Sequence, residues 1–278
     1  MSQLSWVLLG YRKAGTRPKA KRLHMLILTA FFLLFLAASA PSQAQQIREI
    51  RVAAAADLQP VLPVLAADYE KATGVKIAIS FGSSGTLATQ IINGAPIDLF
   101  LGADFVFPEK IVAAGLADSS APTQYAKGTL VLWARKDSPL QPITLDTLVD
   151  KRVTSVAIAN DQRAPYGRAA VMALQRMKMY DTVKPHLVIG ENISQAAQFV
   201  QSGNAQLGFI SLTAASTPQF KDSGTYVLVP KQTYAPILQC AVVMAKSEQK
   251  AAAHAFLDWI LSPAVQARLP QMGLGPVR

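Results

Sequence analysis

Short β-branched runs alternate with helical patterns along most of the chain, and this alternation limits the possible folds more than any other feature. Such an order is typical of parallel sheets covered by helices, so we expect an α/β protein. In the first part of the chain the pattern predicts strands over 47–54, 75–81 and 97–101, with helices from Val61 to the stop at Gly74, through Leu87 to Ile92, and over 107–114.

The pattern restarts after a Ser/Ala/Pro stretch at 118–123. It then predicts strands over 129–135, 153–159, 187–190 and 206–211, and further strands near 225–230 and 237–244. Helices are predicted over 167–178, 194–202, 248–261 and 263–271. The last two helices follow the end of this second unit, so we expect them to return and pack on the first.

The pattern therefore predicts two α/β lobes joined by two crossing segments, near 124–130 and 231–238. We expect each lobe to be a mixed, mostly parallel sheet flanked by helices. The predicted first lobe consists of 45–125 and 238–278, and the predicted second lobe of 126–237.

Residues 1–44 have the pattern of a secretory signal peptide. Six basic residues and no acidic residue precede Met25, and the apolar run that ends at Ala38 is shorter than the ~20 residues needed to cross a bilayer. Small residues at Ser42 and Ala44 suit cleavage, so we expect an exported chain that begins at Gln45. An uncleaved anchor is the alternative, but no positively charged flank follows the run.

Composition argues against several classes of function. The formal net charge is +10, with 27 basic and 17 acidic residues. Without the six basic residues of the predicted signal peptide, 21 basic residues remain against 17 acidic ones. This small excess of positive charge does not favour a nucleic-acid partner, and we expect none. The single cysteine cannot form an internal disulfide, and the few histidines disfavour a zinc site. The run Gly82-Ser-Ser-Gly85 lacks the G-x-S-x-G spacing of a nucleophile elbow, so we expect neither enzymatic activity nor a cofactor.

The turns in which predicted strands run into helices carry the chemistry. A helix N-terminus has free N–H groups and roughly half an elementary positive charge, so several together can bind an oxyanion without Lys or Arg. Four of them would supply about +2, which matches a doubly charged oxyanion. The four turns are Ala53-Ala-Ala-Ala-Asp57, Phe81-Gly-Ser-Ser-Gly-Thr86, Ala164-Pro-Tyr-Gly-Arg168 and Gly190-Glu-Asn-Ile-Ser194.

Together, and in this order, these turns resemble the periplasmic molybdate-binding proteins of ABC importers. The resemblance covers essentially all of 47–275 and is strongest in Phe81-Gly-Ser-Ser-Gly-Thr-Leu-Ala-Thr-Gln-Ile91, which continues as Asn93-Gly-Ala-Pro-Ile-Asp-Leu-Phe-Leu-Gly-Ala-Asp104. It implies a two-lobe periplasmic-binding-protein fold of type II, a periplasmic location, and molybdate or tungstate as ligand. It also implies a membrane ABC permease as partner, and we expect a monomer.

The resemblance also implies a set of ligand-binding positions. Molybdenum would be held only as part of the oxyanion, through these positions, with Tyr166 and Ile193 contributing mainly backbone N–H groups. Two positions depart from the family pattern, because many relatives have a serine in place of the aspartate and a tyrosine in place of the last serine. The positions are Asp57, Ser83 and Ser84 in the first lobe and Tyr166, Ile193 and Ser211 in the second.

Asp57 leaves three interpretations open, because an ionised carboxylate would repel a dianion. It could cap its own helix, accept a hydrogen bond from a protonated oxyanion of the phosphate or arsenate kind, or coordinate the central metal of molybdate or tungstate directly. The alternative functions are a receptor for another oxyanion, such as phosphate or sulfate, and an α/β enzyme that acts on a phosphorylated metabolite. In such an enzyme Asp57 would be the candidate base.

Overall fold

The computed structural model describes residues 49–277, and within this range the chain builds two five-stranded sheets flanked by helices. The predicted signal peptide, its cleavage site and the start at Gln45 lie outside the described residues. The strands are β1 (Glu49–Ala55), β2 (Lys76–Gly82), β3 (Leu99–Gly102), β4 (Thr123–Gly128), β5 (Leu130–Arg135), β6 (Val156–Ala159), β7 (Leu187–Gly190), β8 (Leu207–Ser211), β9 (Gly224–Leu228) and β10 (Ile237–Val243).

The α-helices lie between these strands and after the last one. Six of them are long enough to cover a sheet face, and the other four are single turns or short connections. They are α1 (Leu62–Thr73), α2 (Ser84–Ile92), α3 (Val106–Ala113), α4 (Pro165–Arg176), α5 (Tyr180–Val183), α6 (Ile193–Ser202), α7 (Leu212–Ala215), α8 (Pro218–Ser223), α9 (Lys250–Ile260) and α10 (Pro263–Gln266).

Both sheets are mixed. The first has the order β2-β1-β3-β10-β4, in which β1 pairs in parallel with β2 and β3, and β10 lies antiparallel between β3 and β4. The second has the order β7-β6-β8-β5-β9, in which β6 pairs in parallel with β7 and β8, and β5 is antiparallel to β8 and β9. The predicted fold class is therefore confirmed.

Alternate residues of a strand point to opposite sides of its sheet, and in the central strands both sets of residues are buried, so both faces of each sheet are covered there. In β1, Val52 packs in one apolar cluster and its neighbour Ala53 in another. In β5, Leu132 and Trp133 are fully buried in two different clusters in the same way. We call each sheet with its packed helices a lobe.

The chain passes between the lobes at two places. It leaves the first sheet after Gly128 and enters the second at Leu130, and it returns between Leu228 and Ile237. Glycine is required at the first crossing, because a Cβ on Gly128 would lie 2.3 Å from the hydroxyl oxygen of Tyr166. Helix α9 then packs against β10 and α1 of the first sheet, as predicted for a returning C-terminal segment. The numerical lobe boundaries stay a prediction.

Several predicted element bounds differ from the structure. Strand β4 was not predicted, because its sequence Thr-Gln-Tyr-Ala-Lys-Gly has little β-branched character and becomes a strand by pairing with β10. The helix predicted over 263–271 divides into α10 and a 3-10 turn at Leu269–Met272, where Pro270 cannot continue an α-helical ladder. No helix within residues 49–277 is long and apolar enough to span a membrane.

Candidate functional site

A narrow cleft lies where the carboxyl ends of strands from both sheets meet. Its volume is about 10 Å³, roughly one water-sized sphere, so its walls are close enough for one ligand to touch both lobes. The cleft contains five of the six predicted binding residues, and none of its lining residues is Lys or Arg. The lining consists of Ala55, Ala56, Asp57, Gly82, Ser83, Ser84, Ala103, Ala164, Pro165, Tyr166, Asn192 and Ile193.

Three α-helices begin at this cleft. Ser84 is the first residue of α2, Tyr166 the second residue of α4, and Ile193 the first residue of α6. N–H groups in the first turn of a helix have no partner within the helix, so these starts can donate to a ligand from both lobes. The fourth predicted helix start is instead a 3-10 turn at Ala56–Leu58, and α1 begins only at Leu62.

The two serines of α2 differ in role. Ser83 is the N-cap residue, and its hydroxyl oxygen accepts a hydrogen bond from the Thr86 N–H (3.4 Å) and lies 2.8 Å from the Thr86 Oγ1. The buried Ser84 Oγ accepts from the Ala103 N–H at 3.0 Å. Because a hydroxyl can accept and donate at once, the Ser84 proton is available to a ligand.

Asp57 is buried, and two side chains donate to one of its carboxylate oxygens. The Oδ2 accepts a hydrogen bond from the Tyr166 hydroxyl at 3.1 Å and another from the Gln239 amide Nε2. The Oδ1 is buried without a hydrogen-bond partner. Burial raises the pKa of Asp57 to about 7, although the hydrogen bonds from Gln239 and Tyr166 act in the opposite direction.

The interpretation of Asp57 as a helix cap is wrong. The Asp57 carboxylate caps neither the 3-10 turn nor α1, whose N-cap Val61 has no side-chain capping bond. The carboxylate instead turns toward α4 and β10, where Tyr166 and Gln239 supply donors from distant parts of the chain. The other two interpretations remain open at this point.

Ser211 lies outside the cleft lining. Its Oγ accepts from the Ala214 N–H at 3.3 Å and so caps α7. Its Oγ is also 2.7 Å from the Thr213 hydroxyl, which donates to the Asp57 backbone carbonyl at 2.7 Å. Ser211 is thus linked to the site through Thr213, and its direct contact with a ligand stays a prediction.

Two residues of the site were missed at the level of sequence. Gln239 is fully buried in the apolar strand β10, and an isolated glutamine in the run Ile-Leu-Gln-Cys-Ala-Val-Val was the available signal. Thr213 follows Ser211 in a short helix that was not predicted. Both are joined to Asp57 by contacts between residues more than 150 positions apart.

Hydrogen bonds and one ion pair join the lobes around the cleft. The Gly85 N–H donates to the Arg163 carbonyl at 2.8 Å, and the Thr86 hydroxyl donates to Glu191 Oε1 at 2.9 Å. On one side, Arg168 forms an ion pair with the largely buried Asp104, which also accepts from the Phe107 N–H at the start of α3. Both lobes contribute to the Gly85–Arg163, Thr86–Glu191 and Arg168–Asp104 contacts, so the structure has the lobes closed on the cleft.

Comparisons with known proteins agree with this geometry. A family described as bacterial extracellular solute-binding protein matches residues 50–275. The molybdate-binding protein ModA of Azotobacter vinelandii is 37% identical over 232 residues, which cover 84% of this chain and 92% of that protein. ModA of Rhodobacter capsulatus is also 37% identical, over 215 residues that cover 77% and 83% of the two chains.

A solved structure extends the similarity to three dimensions. The periplasmic molybdate-binding protein of Azotobacter vinelandii superposes with a TM-score of 0.77 at 33% sequence identity. The match covers 82% of this chain and all of that one. The similarity therefore includes both lobes and the segments that cross between them.

Proposed function

This chain belongs to the bacterial extracellular solute-binding proteins, and on that premise we propose that it binds molybdate or tungstate between its lobes and delivers the anion to an ABC permease. The chain then acts as a receptor and not as an enzyme, and the oxyanion is its cargo and not a cofactor. The names of its relatives at 37% identity support molybdate as the first ligand to test.

The observation that carries the proposal is the convergence of α2, α4 and α6 on a cleft without Lys or Arg among its lining residues. Three helix starts supply about +1.5 of partial charge, together with N–H donors held in fixed directions. Fixed backbone dipoles suit a small symmetrical oxyanion, because they provide neutralisation and hydrogen bonds without flexible cationic side chains. Ser84 adds a hydroxyl donor to this set.

Closure of the lobes connects binding to delivery. Ser84 belongs to the first lobe, and Tyr166 and Ile193 belong to the second, so a ligand contacts the full donor set only when the lobes meet. Binding therefore shifts the equilibrium toward the closed form. A permease that recognises the closed form would distinguish loaded from unloaded receptor.

The remaining features of the proposal follow from the sequence pattern and from the family. We infer export to the periplasm after cleavage before Gln45, a monomeric receptor, and no nucleic-acid partner. The predicted lobes, 45–125 with 238–278 and 126–237, are the units that open and close. The proposed binding residues remain Asp57, Ser83, Ser84, Tyr166, Ile193 and Ser211, and Ser211 is also linked to the site through Thr213 and the Asp57 carbonyl.

Isothermal titration calorimetry tests the proposal directly. The chain from Gln45 onward is titrated with molybdate, tungstate, sulfate and phosphate under identical conditions. We expect tight binding of molybdate and tungstate and much weaker binding of sulfate. Absence of heat and of thermal stabilisation with millimolar molybdate and tungstate would contradict the assignment, because a thousandfold excess over Kd stabilises by about 4 kcal/mol.

One observation favours a second candidate ligand. The unpartnered, buried Oδ1 of Asp57 could accept a hydrogen bond from an anion that carries its own proton. Phosphate carries such a proton near neutral pH, whereas molybdate and tungstate do not. Tighter binding of phosphate than of molybdate in the same titrations would favour this candidate.

A further inference from the structure

We propose that the bound oxyanion is held against a protonated Asp57, so that each molybdate or tungstate ion enters the site together with one proton taken up by the protein. This inference rests on the proposed function and adds the charge state of the site. It makes Asp57 a hydrogen-bond donor to the ligand and makes the affinity depend on pH.

The position of the proton follows from the hydrogen bonds of Asp57. Its Oδ2 already accepts from Tyr166 and Gln239, so a third hydrogen on that oxygen would be crowded. Its Oδ1 is buried without a partner, and Asp57 lines the cleft. A proton on Oδ1 would give this orphaned atom a partner as soon as an anionic oxygen arrives, because a protonated carboxyl group is a donor.

The charges around Asp57 favour its protonated form once an anion is bound. The titratable groups that act on Asp57 are Tyr125 and Tyr166, and Asp104 and Cys240 act in turn on Tyr125; none of the four supplies a positive charge. Burial raises the pKa of both tyrosines far above the usual range and that of the Cys240 thiol to about 11, so these three groups are neutral.

The elements packed against the turn of Asp57 are α6, α7 and β2. The two helices have no titratable side chain, and the only one in β2, that of Lys76, lies at the end of the strand opposite the cleft. Two arginines lie beyond these elements, and each has an acidic partner. Arg168 forms an ion pair with Asp104, and the Arg163 Nη1 lies 3.9 Å from the Glu191 Oε1.

A dianion next to an ionised Asp57 would therefore bring three negative charges together with only helix dipoles to offset them. Like charges favour the protonated form of a carboxyl group, so the anion raises the pKa of Asp57 above its value of about 7 in the unliganded cleft. By linkage, ligand binding takes up a proton whenever Asp57 is ionised beforehand. Above that pKa the affinity falls about tenfold for each pH unit.

Calorimetry in two buffers of different ionisation enthalpy counts the protons exchanged on binding. Molybdate is the probe, since it carries no proton between pH 6 and 8, and the proteins are the wild type, Asp57→Asn and Asp258→Asn. Asparagine mimics the protonated acid, because its oxygen can accept from Tyr166 and Gln239 while its NH₂ replaces the proposed donor. Asp258 is an exposed aspartate of α9 and serves as the matched control.

At pH 8 we expect the wild type and Asp258→Asn to take up about one proton per molybdate and Asp57→Asn to take up none. Asp57→Asn should also bind about tenfold more tightly than the wild type at pH 8 and about equally at pH 6. Molybdate binding without proton uptake in the wild type, or uptake that persists in Asp57→Asn, overturns the inference and leaves the proposed function intact.

Absence of molybdate binding in every buffer overturns the proposed function and the inference with it. The wild-type proton count is decisive even if Asp57→Asn does not fold, because it needs no variant.

Discussion

Replacing Ser84 by alanine should have two separable effects, one on the free protein and one on binding. In the free protein the Ser84 Oγ accepts from the Ala103 N–H at 3.0 Å, and both residues are buried. Alanine leaves this N–H without a partner, which costs about 1–3 kcal/mol of unfolding free energy. For a domain of this size that corresponds to a fall in Tm of roughly 2–12 °C.

In the complex the same substitution would remove the hydroxyl that we propose as a donor to the ligand. A hydrogen bond to a charged group contributes about 1.5–3 kcal/mol, so molybdate affinity should fall roughly 10- to 150-fold. Thermal unfolding without ligand measures the first effect, and calorimetric titration with molybdate measures the second.

Two other serines provide controls for Ser84→Ala. Ser119 is exposed and donates only to the Ala121 carbonyl, so Ser119→Ala should change neither quantity. Ser83→Ala removes a helix cap and should cost about 1 kcal/mol of stability with a smaller loss of affinity than Ser84→Ala. Equal molybdate affinities for Ser84→Ala and Ser119→Ala would refute the assignment of Ser84 as a ligand donor.

Three further predictions address closure, charge and packing. Gly85→Ala should hold the lobes apart, because its Cβ would lie 2.9 Å from the Arg163 carbonyl; small-angle scattering should then detect no compaction with molybdate. The pKa of Asp57 is about 7 in the unliganded fold and about 4 in the unfolded chain, so the fold holds the Asp57 proton more tightly. The free energy of unfolding should therefore fall by roughly 4 kcal/mol as pH rises from about 4 to about 7. Urea unfolding of Asp57→Asn should lack that pH dependence. Gly224→Ala should destabilise the second lobe by about 3 kcal/mol in the same assay, since its Cβ would lie 1.9 Å from the Trp133 ring.

Structural features that depend on residues close together in the chain could be predicted from the sequence. The alternation of strands and helices predicted both sheets, and the turn at Phe81-Gly-Ser-Ser-Gly-Thr86 predicted the helix start that the structure places at Ser84. Gly74, which has a φ of 73°, ends α1 where a glycine after an apolar periodicity predicts a stop. In each case the decisive interactions lie within one or two turns of the chain.

Features that depend on distant residues could not be predicted in this way. The local rule offered Asp57 a capping role as one of three interpretations, yet its donors are Tyr166 and Gln239, which are 109 and 182 positions away. Nothing near Asp57 in the sequence identifies those partners. Strand β4 is a second case, because its pairing with β10 and not its own composition makes it a strand.

A crystal structure with molybdate, with the metal located by its anomalous scattering, tests the central claim most directly. The account predicts one molybdenum peak between the lobes, with oxygens at hydrogen-bond distance from the Ser84 hydroxyl, the backbone N–H groups of Ser84 and Ile193, and Asp57 Oδ1. A molybdenum peak elsewhere on the protein, with none at the starts of α2, α4 and α6, would contradict it.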